Sequence, residues 1–189
     1  NSNGLSDNVV RSLLEDSKGN IWIGTDKGLT LYDGFSFKTI GQEHGLKGTS
    51  VIKILEGSGG IIWAATNDGG LNAITFKDSV IVNNFTKDDG LLNDFIFDIY
   101  EAPDKRIWLA MVGGLSIIRF DQDSMKIQEI FNPETDTGAD MPIISSIEPV
   151  SGSEVWLGTL GTGVFVASYG SENKSFKLRP LAVNDEIPG

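Results

Sequence analysis

The chain contains no cysteine and only one histidine, His44. The first absence excludes a disulfide framework and any thiolate metal site. The second excludes paired imidazole ligands and leaves His44, just before Gly45-Leu46, as a surface-loop histidine. Positive charge is also scarce: 15 Lys and Arg stand against 26 Asp and Glu, for a net charge of −11 and a pI near 4.4. Such an acidic field repels phosphate backbones and anionic membranes, so neither nucleic acid nor membrane contact is expected of this segment. No apolar run reaches the roughly 18 residues of a membrane-spanning helix. No Gly-x-Ser-x-Gly elbow or phosphate-binding loop is present. Asp121-Gln-Asp123 and Lys87-Asp-Asp89 lack the ligand spacing of a calcium loop and read as solvated turns. No metal, cofactor or catalytic residue is expected.

What is present is repetition. Each of the four tryptophans stands in a similar phrase: Asn20-Ile-Trp22-Ile-Gly-Thr25, Ile61-Ile-Trp63-Ala-Ala-Thr66, Arg106-Ile-Trp108-Leu-Ala-Met111 and Glu154-Val-Trp156-Leu-Gly-Thr159. The intervals between them are 41, 45 and 48 residues, a period typical of β-propeller blades. Ahead of each Trp stands a glycine (Gly4, Gly45, Gly90, Gly138), followed by Leu5, Leu46 and Leu91, with Ala139 in the fourth copy. An apolar-rich run then ends in Glu15, Glu56, Glu101 and Glu148. A short turn rich in Gly, Asp, Ser and Asn separates that run from the Trp strand in most copies, as hairpins require. Behind the Trp, Gly28-Leu29, Gly70-Leu71, Gly114-Leu115 and Gly163-Val164 restart the chain into a third strand, and a variable outer strand follows.

No window shows helical apolar periodicity. The chain therefore reads as all-β: four repeats of four-stranded antiparallel sheets forming part of a β-propeller, with blades over about 4–44, 45–89, 90–137 and 138–188. The fourth copy is the loosest, because its glutamate lies one residue further from the Trp and Gly138 falls in a polar loop. Trp22, Trp63, Trp108 and Trp156 occupy one repeat position inside apolar strands, so they are assigned to blade packing rather than to sugar stacking. Tyr32 and Tyr100 fall in phase with aliphatic residues and are assigned likewise. The recurrence of Glu15, Glu56, Glu101 and Glu148 argues for a structural role, since an active site needs one or two special copies.

The string Gly4-Leu-Ser-Asp-Asn-Val-Val-Arg-Ser-Leu-Leu-Glu-Asp-Ser-Lys-Gly-Asn-Ile-Trp-Ile-Gly-Thr25, with Gly28-Leu-Thr-Leu-Tyr-Asp33 after it, resembles the two-component regulator propeller repeat. Copies two and three match it, with Met111 in place of threonine in the third, and copy four keeps Val155-Trp-Leu-Gly-Thr159. The resemblance implies a periplasmic sensor segment of a hybrid two-component system, responding to oligosaccharides released from glycans. It also implies that the histidine kinase and membrane anchor lie outside the segment, which has no enzymatic activity of its own.

Blade geometry places the loops into first strands and those between second and third strands on one propeller face. Ligand-binding candidates there are Asp7, Asn8, Asp26, Lys27, Thr49, Asn67, Asp68, Asn93, Asp94 and Met111, most of them suitable partners for sugar hydroxyls. Met111-Val112 and the insertion from Asn132 to Met141 are the main breaks in the repeat. Asp185-Glu-Ile-Pro188 leads into Gly189, where a fifth repeat would open, so the segment reads as cut from a longer propeller. An open array exposes two apolar end faces, and self-association into a homodimer through those faces is expected. Two other readings stand beside the sensor: a structural or dimerisation scaffold without its own ligand, and a propeller glycosidase or lyase, for which the acidic residues offer pairs of undetermined separation.

Overall fold

The tryptophan strands are the second strands of four separate antiparallel sheets in the computed structural model of the chain, which describes residues 4–76, 79–133, 141–151, 154–170 and 175–182. Blade 1 comprises β1 (Val10–Glu15), β2 (Ile21–Thr25), β3 (Gly28–Tyr32) and β4 (Phe37–Ile40). Blade 2 comprises β5 (Val51–Glu56), β6 (Ile62–Thr66), β7 (Leu71–Phe76) and β8 (Val80–Phe85). Blade 3 comprises β9 (Ile96–Glu101), β10 (Arg106–Met111), β11 (Gly114–Asp121) and β12 (Lys126–Phe131). Blade 4 comprises β13 (Ile144–Ser151), β14 (Glu154–Thr159), β15 (Val164–Gly170) and β16 (Ser175–Pro180). Strands pair in chain order within every sheet, and β1, β5, β9 and β13 run side by side along the inner edge. The expectation of an all-β chain of four four-stranded blades agrees with this architecture. The Gly138-Ala139 pair, most of the Asn132–Met141 insertion and Asp185–Gly189 lie outside the described residues.

Register explains why the Trp phrase repeats. Trp22 lies between Leu14 and Leu31, Trp63 between Leu55 and Ala73, and Trp108 between Tyr100 and Ile117. Side chains alternate along a strand, so Trp points towards the following blade while its neighbours point towards the preceding one. The Trp22 ring meets Phe76 of blade 2 with centroids 5.5 Å apart, and Trp63 meets Phe120 of blade 3 edge-on at 4.9 Å. Trp108 joins the cluster of Ile144, Ile147 and Tyr169 from blade 4. Because both faces of these second strands are covered, β6 and β10 are buried at every position, and apolar residues fall on both faces of each.

Trp156 departs from that pattern. It sits opposite Glu148 and Val166, and only the alternate residues Val155 and Leu157 of β14 are buried. Its own side is half-buried, because no described blade follows on that face. The assignment of all four tryptophans to packing between blades thus applies in full to three of them. Tyr32 is also only partly covered and stacks on Phe37 at 4.6 Å. Tyr100 packs at the edge of the cluster around Trp108.

The recurring leading glycine has a backbone cause. Gly4, Gly45 and Gly90 take φ values of +80°, +93° and +101°, a conformation that L-residues with a Cβ rarely adopt. A side chain at Gly4 would also strike Phe37 at 2.7 Å, and one at Gly90 would strike Ile130 at 2.9 Å. The chain then crosses its own blade and is tied by a buried polar residue of the third strand. The Ser6 amide donates to Thr30 Oγ1 (3.1 Å), that of Lys47 to Asn72 Oδ1 (2.9 Å) and that of Leu92 to Ser116 Oγ (3.2 Å). In blade 4 the equivalent register position, opposite Leu157, is the apolar Phe165. The looser fourth copy has therefore also lost the polar group that ties this loop in the other three.

Trp63→Ala is expected to lower stability by about 3–5 kcal/mol through loss of a fully covered ring. Trp156→Ala should cost only about 1–2 kcal/mol, since its ring is already partly in water. Urea unfolding of the two variants beside the parent chain measures the difference, and equal losses would contradict the described packing.

Candidate functional site

The loop face gathers the sequence candidates into three patches, the first joined to the second by the Asn67 amide on the Ser50 carbonyl (3.2 Å) and the second to the third by the Gly70 amide on the Asp94 carbonyl (2.9 Å). In the first, Arg11 holds Asp26 in a two-pronged ion pair (2.7 and 2.9 Å), and the Ser50 hydroxyl donates to the same carboxylate at 2.7 Å. Lys27 pairs with Asp7 at 3.1 Å, and Asp7 also accepts the Val9 amide at 2.9 Å. In the second patch Asp68 accepts the Thr49 amide (2.9 Å) and hydroxyl (3.3 Å). In the third, Asn93 caps the Phe95 amide (2.9 Å) and Asp94 accepts the Lys87 amide (2.8 Å). Asn8 is exposed, and the Asn67 side-chain oxygen is buried with no hydrogen-bond partner. Met111 is fully buried in the core between blades 2 and 3, with the Ser116 hydroxyl 3.5 Å from its sulfur. It is therefore corrected from a ligand candidate to a packing residue. Its position is the last residue of β10, a strand buried at every position, rather than a loop tip.

The electrostatics of the first patch follow from these contacts. The Arg11 hydrogen bonds, then the Ser50 hydroxyl, pull Asp26 down from 3.8 to about 2, against the opposing effect of desolvation. Asp7 is lowered by the Val9 amide and by Lys27. Asp16, at the other end of the blade, is pushed up by burial. Its bonds from Asn20, Trp22 Nε1 and two backbone amides outweigh that and leave it lowered.

That other end of the blades carries the recurring glutamates, and here they act as clasps. The Ser17 amide and hydroxyl, in the turn after β1, both donate to Glu56 of the next blade at 2.7 Å. The Ser58 amide donates to Glu101 at 2.7 Å, its hydroxyl donates to the other oxygen, and Lys105 reaches Glu101 at 3.5 Å. Each carboxylate thus caps the turn of the blade before it. The pattern fails between blades 3 and 4 at both ends of the bond. Pro103 stands where Ser17 and Ser58 stand, and Pro149 pairs with Val155 as Glu56 pairs with Ile62 and Glu101 with Ile107. Glu148 is displaced by one residue, lies opposite Trp156 and is exposed, so it does not share the role of Glu56 and Glu101. At this junction Arg106 lies over the Tyr169 ring, 5.1 Å from its centroid.

Between the two clasps lies a cleft of about 540 Å³, with Leu55 and Tyr100 beside the carboxylates of Glu56 and Glu101. Burial, and then the charge of Asp104, holds the Tyr100 hydroxyl above its usual range. The cleft opens at the opposite end of the strands from the loop candidates. It offers carboxylate acceptors and an aromatic wall. His44 stands apart on the loop at the end of blade 1, beside Glu43 (3.0 Å) and the Gly41 amide (3.4 Å). Among the described residues no group of three or more His, Cys, Asp or Glu is placed to hold a metal ion.

Sequence reasoning missed a fastening along the inner edge. Every first strand has a register shift at the same place, and the residue just past it is Ser12, Lys53, Asp98 or Ser146. Asp98 takes Lys53 of blade 2 at 2.9 Å and the Ile147 amide of blade 4 at 2.9 Å, so one carboxylate joins three blades. A signal existed, since these polar residues interrupt the apolar runs at a constant distance before each Trp. Arg11 and Ser50 gave none, because they become partners of Asp26 only through folding.

The two component regulator propeller model matches residues 4–27 and 90–113. Among curated proteins, no significant relative is found by sequence. Among solved structures the chain is similar to the extracellular domain of BT3049 from B. thetaiotaomicron, described as a hybrid two component system, with a TM-score of 0.73 at 21% identity. It is also similar to the extracellular domain of BT4673 from the same organism (TM-score 0.65, 20% identity). These matches cover 92% and 96% of the present chain but only 25% of each structure. PorZ, a surface component of the type-IX secretion system of Porphyromonas gingivalis, matches with a TM-score of 0.59 at 15% identity, over 84% of this chain and 26% of its own. At these identities the likeness is one of fold.

Glu101→Ala should destabilise the chain by about 1–3 kcal/mol by leaving the Ser58 turn uncapped, whereas Glu148→Ala should stay within about 0.5 kcal/mol. Denaturant midpoints of both variants check this. Asp26 is held lower in the folded chain than in the unfolded one, so its contribution is present above pH 3.8 and is lost as pH falls towards 2. Asp26→Asn should remove that part of the acid sensitivity, seen as a flatter dependence of the urea midpoint on pH across this window.

Proposed function

Given that the chain carries two component regulator propeller repeats at 4–27 and 90–113, we propose that it is a ligand-recognition segment of the periplasmic sensor part of a hybrid two-component system, responding to glycan-derived oligosaccharides. The observation that carries this reading is the coincidence of those repeats with a fold shared by extracellular domains of two such systems. The segment is non-catalytic by itself, and the histidine kinase and anchor belong to other parts of the protein. No described helix is long and apolar enough to cross a membrane. Hydroxyl-rich ligands suit the surfaces available: Asp, Asn, Thr and Lys groups on the loop face, and carboxylates beside Tyr100 in the cleft.

A second reading is favoured by one observation. Asp7, Asp26, Asp68 and Asp94 each already accept bonds from within the protein, as they would in a scaffold whose loops serve only to hold its blades. PorZ shows that related folds also occur in a surface component of a secretion system.

Thermal unfolding in the presence of diverse oligosaccharides separates the two readings. A ligand at about 100 times its dissociation constant should raise the midpoint by about 5–10 °C. No shift with any glycan would favour the scaffold.

A further inference from the structure

Every inner strand opens with the same local device. The carbonyl of the residue before the strand (Val9, Ser50, Phe95 or Ile143) accepts the first amide of the loop after the second strand (Asp26, Asn67, Val112 or Leu160). Two residues on, the register shifts and one residue lacks a partner on the second strand: Arg11, Ile52, Phe97 or Ser145. Such a bulge re-aims its side chain out of the regular alternation. In blades 1 and 4 the bulged side chain bonds within its own blade. Arg11 grips Asp26, and the Ser145 hydroxyl donates to the Gly158 carbonyl at 3.2 Å. Blade 3 fills both positions with phenylalanine, and no other blade has an aromatic residue at either.

Phe95 and Phe97 meet each other, with ring centroids 4.5 Å apart and planes tilted by 41°. Both are half-buried, and neither packs against any of the three hydrophobic cores among the described residues. Phe95 also carries a cost. In blade 2 the Ser50 hydroxyl donates to Asp26 of blade 1. Phe95 holds that position in blade 3 and has no donor for Asn67, the counterpart of Asp26, whose side-chain oxygen is buried without a partner. The pair is nevertheless firmly mounted. The Phe95 amide donates to Asn93 Oδ1 (2.9 Å), and its carbonyl takes the Val112 amide (3.3 Å). Phe97 is followed by Asp98, which is anchored to Lys53 and to the Ile147 amide. Blades 2 and 4 flank blade 3, so the open surface of the rings belongs to the loop face and not to either end of the array.

We propose that Phe95 and Phe97 form the stacking platform of a saccharide site on the loop face, for a neutral pyranose of a glycan chain. The inference rests on the sensor reading and gives it a place on the molecule. A pyranose presents a face of slightly positive C–H groups, which suits the negative face of an aromatic ring, and a rim of hydroxyls. Phenylalanine has no polar group, so neighbours must meet those hydroxyls. Asn93 and Asp94 immediately precede the rings, and the exposed Asp68 stands on a loop tied to the Asp94 carbonyl by the Gly70 amide (2.9 Å). Asp68 and Asp94, in a chain of net charge −11, disfavour an acidic sugar. Two rings also offer far less than the roughly 1,000 Å² of a specific protein interface, which favours a small ligand over a protein partner.

Titration calorimetry, with NMR of the chain carrying isotope-labelled phenylalanine, tests the site. The probes are xylohexaose, mannohexaose and cellohexaose, with tetragalacturonate as the acidic counterpart. At least one neutral probe should bind and move the ring signals of Phe95 and Phe97, while that of Phe120, inside the core, stays in place. Phe97→Ala should weaken this binding at least about 10-fold, and Phe97→Tyr, which keeps a ring, should stay within about 3-fold of the parent. Phe35→Ala removes a ring that is 97% exposed in the β3–β4 turn, at the other end of the blades, and should leave the affinity unchanged. A neutral glycan that binds the parent and Phe97→Ala alike, or leaves both ring signals unmoved, would overturn the site and spare the sensor reading. Binding of tetragalacturonate alone would do the same. A parent chain that binds none of the probes would overturn the site and count against the sensor reading as well.

Discussion

A four-stranded blade with apolar residues on both faces of its second strand is stable only when both faces are covered. That requirement governs the rest of the molecule. The Trp of the second strand in blades 1 to 3 is driven into the following blade, where Phe76 and Phe120 meet Trp22 and Trp63. Each junction is therefore a hydrophobic core shared by two repeats, and the repeats cannot be ranked as independent folding units. Where the cover is missing, the strand reverts to simple alternation, as β14 shows by burying Val155 and Leu157 but not Trp156.

Apolar contact alone would leave neighbouring blades free to slide, since it has little directionality. Directional bonds set the register in three places. Thr30, Asn72 and Ser116 tie the incoming loop to the third strand, Glu56 and Glu101 cap the preceding turns, and Asp98 rivets the inner strands. The third junction has exchanged its clasp for two prolines and a guanidinium over Tyr169. Donor and acceptor were lost together there, which avoids leaving a carboxylate facing a turn that cannot bond to it.

The fold was largely legible from the chain. Four strands per repeat, the turn positions and the all-β class follow from local patterns: apolar runs broken by Gly, Asp, Ser and Asn at a regular period. The site was less so. Blade geometry put Asp7, Asp26, Asp68 and Asp94 at one end of the blades, yet their partners Arg11 and Ser50, and the internal amides they accept, depend on contacts between distant segments. Met111 looked like an irregular loop residue because threonine holds its place elsewhere. In the structure it fills the core between two blades.

The sequence by itself determined the repeat, its strand content and the apolar faces, because each of these is encoded within a few adjacent residues. Recurrence also pointed to a structural role for the glutamates, which Glu56 and Glu101 fill. Only the tertiary structure decided which blade each glutamate serves, that Glu148 is out of register, that Asp98 spans three blades and that Trp156 lies at an uncovered face. Those outcomes depend on pairing register and on which neighbour stands beside each sheet. A shift of one residue, as at Glu148 and Pro149, moves a side chain to the opposite face without changing the composition of the strand.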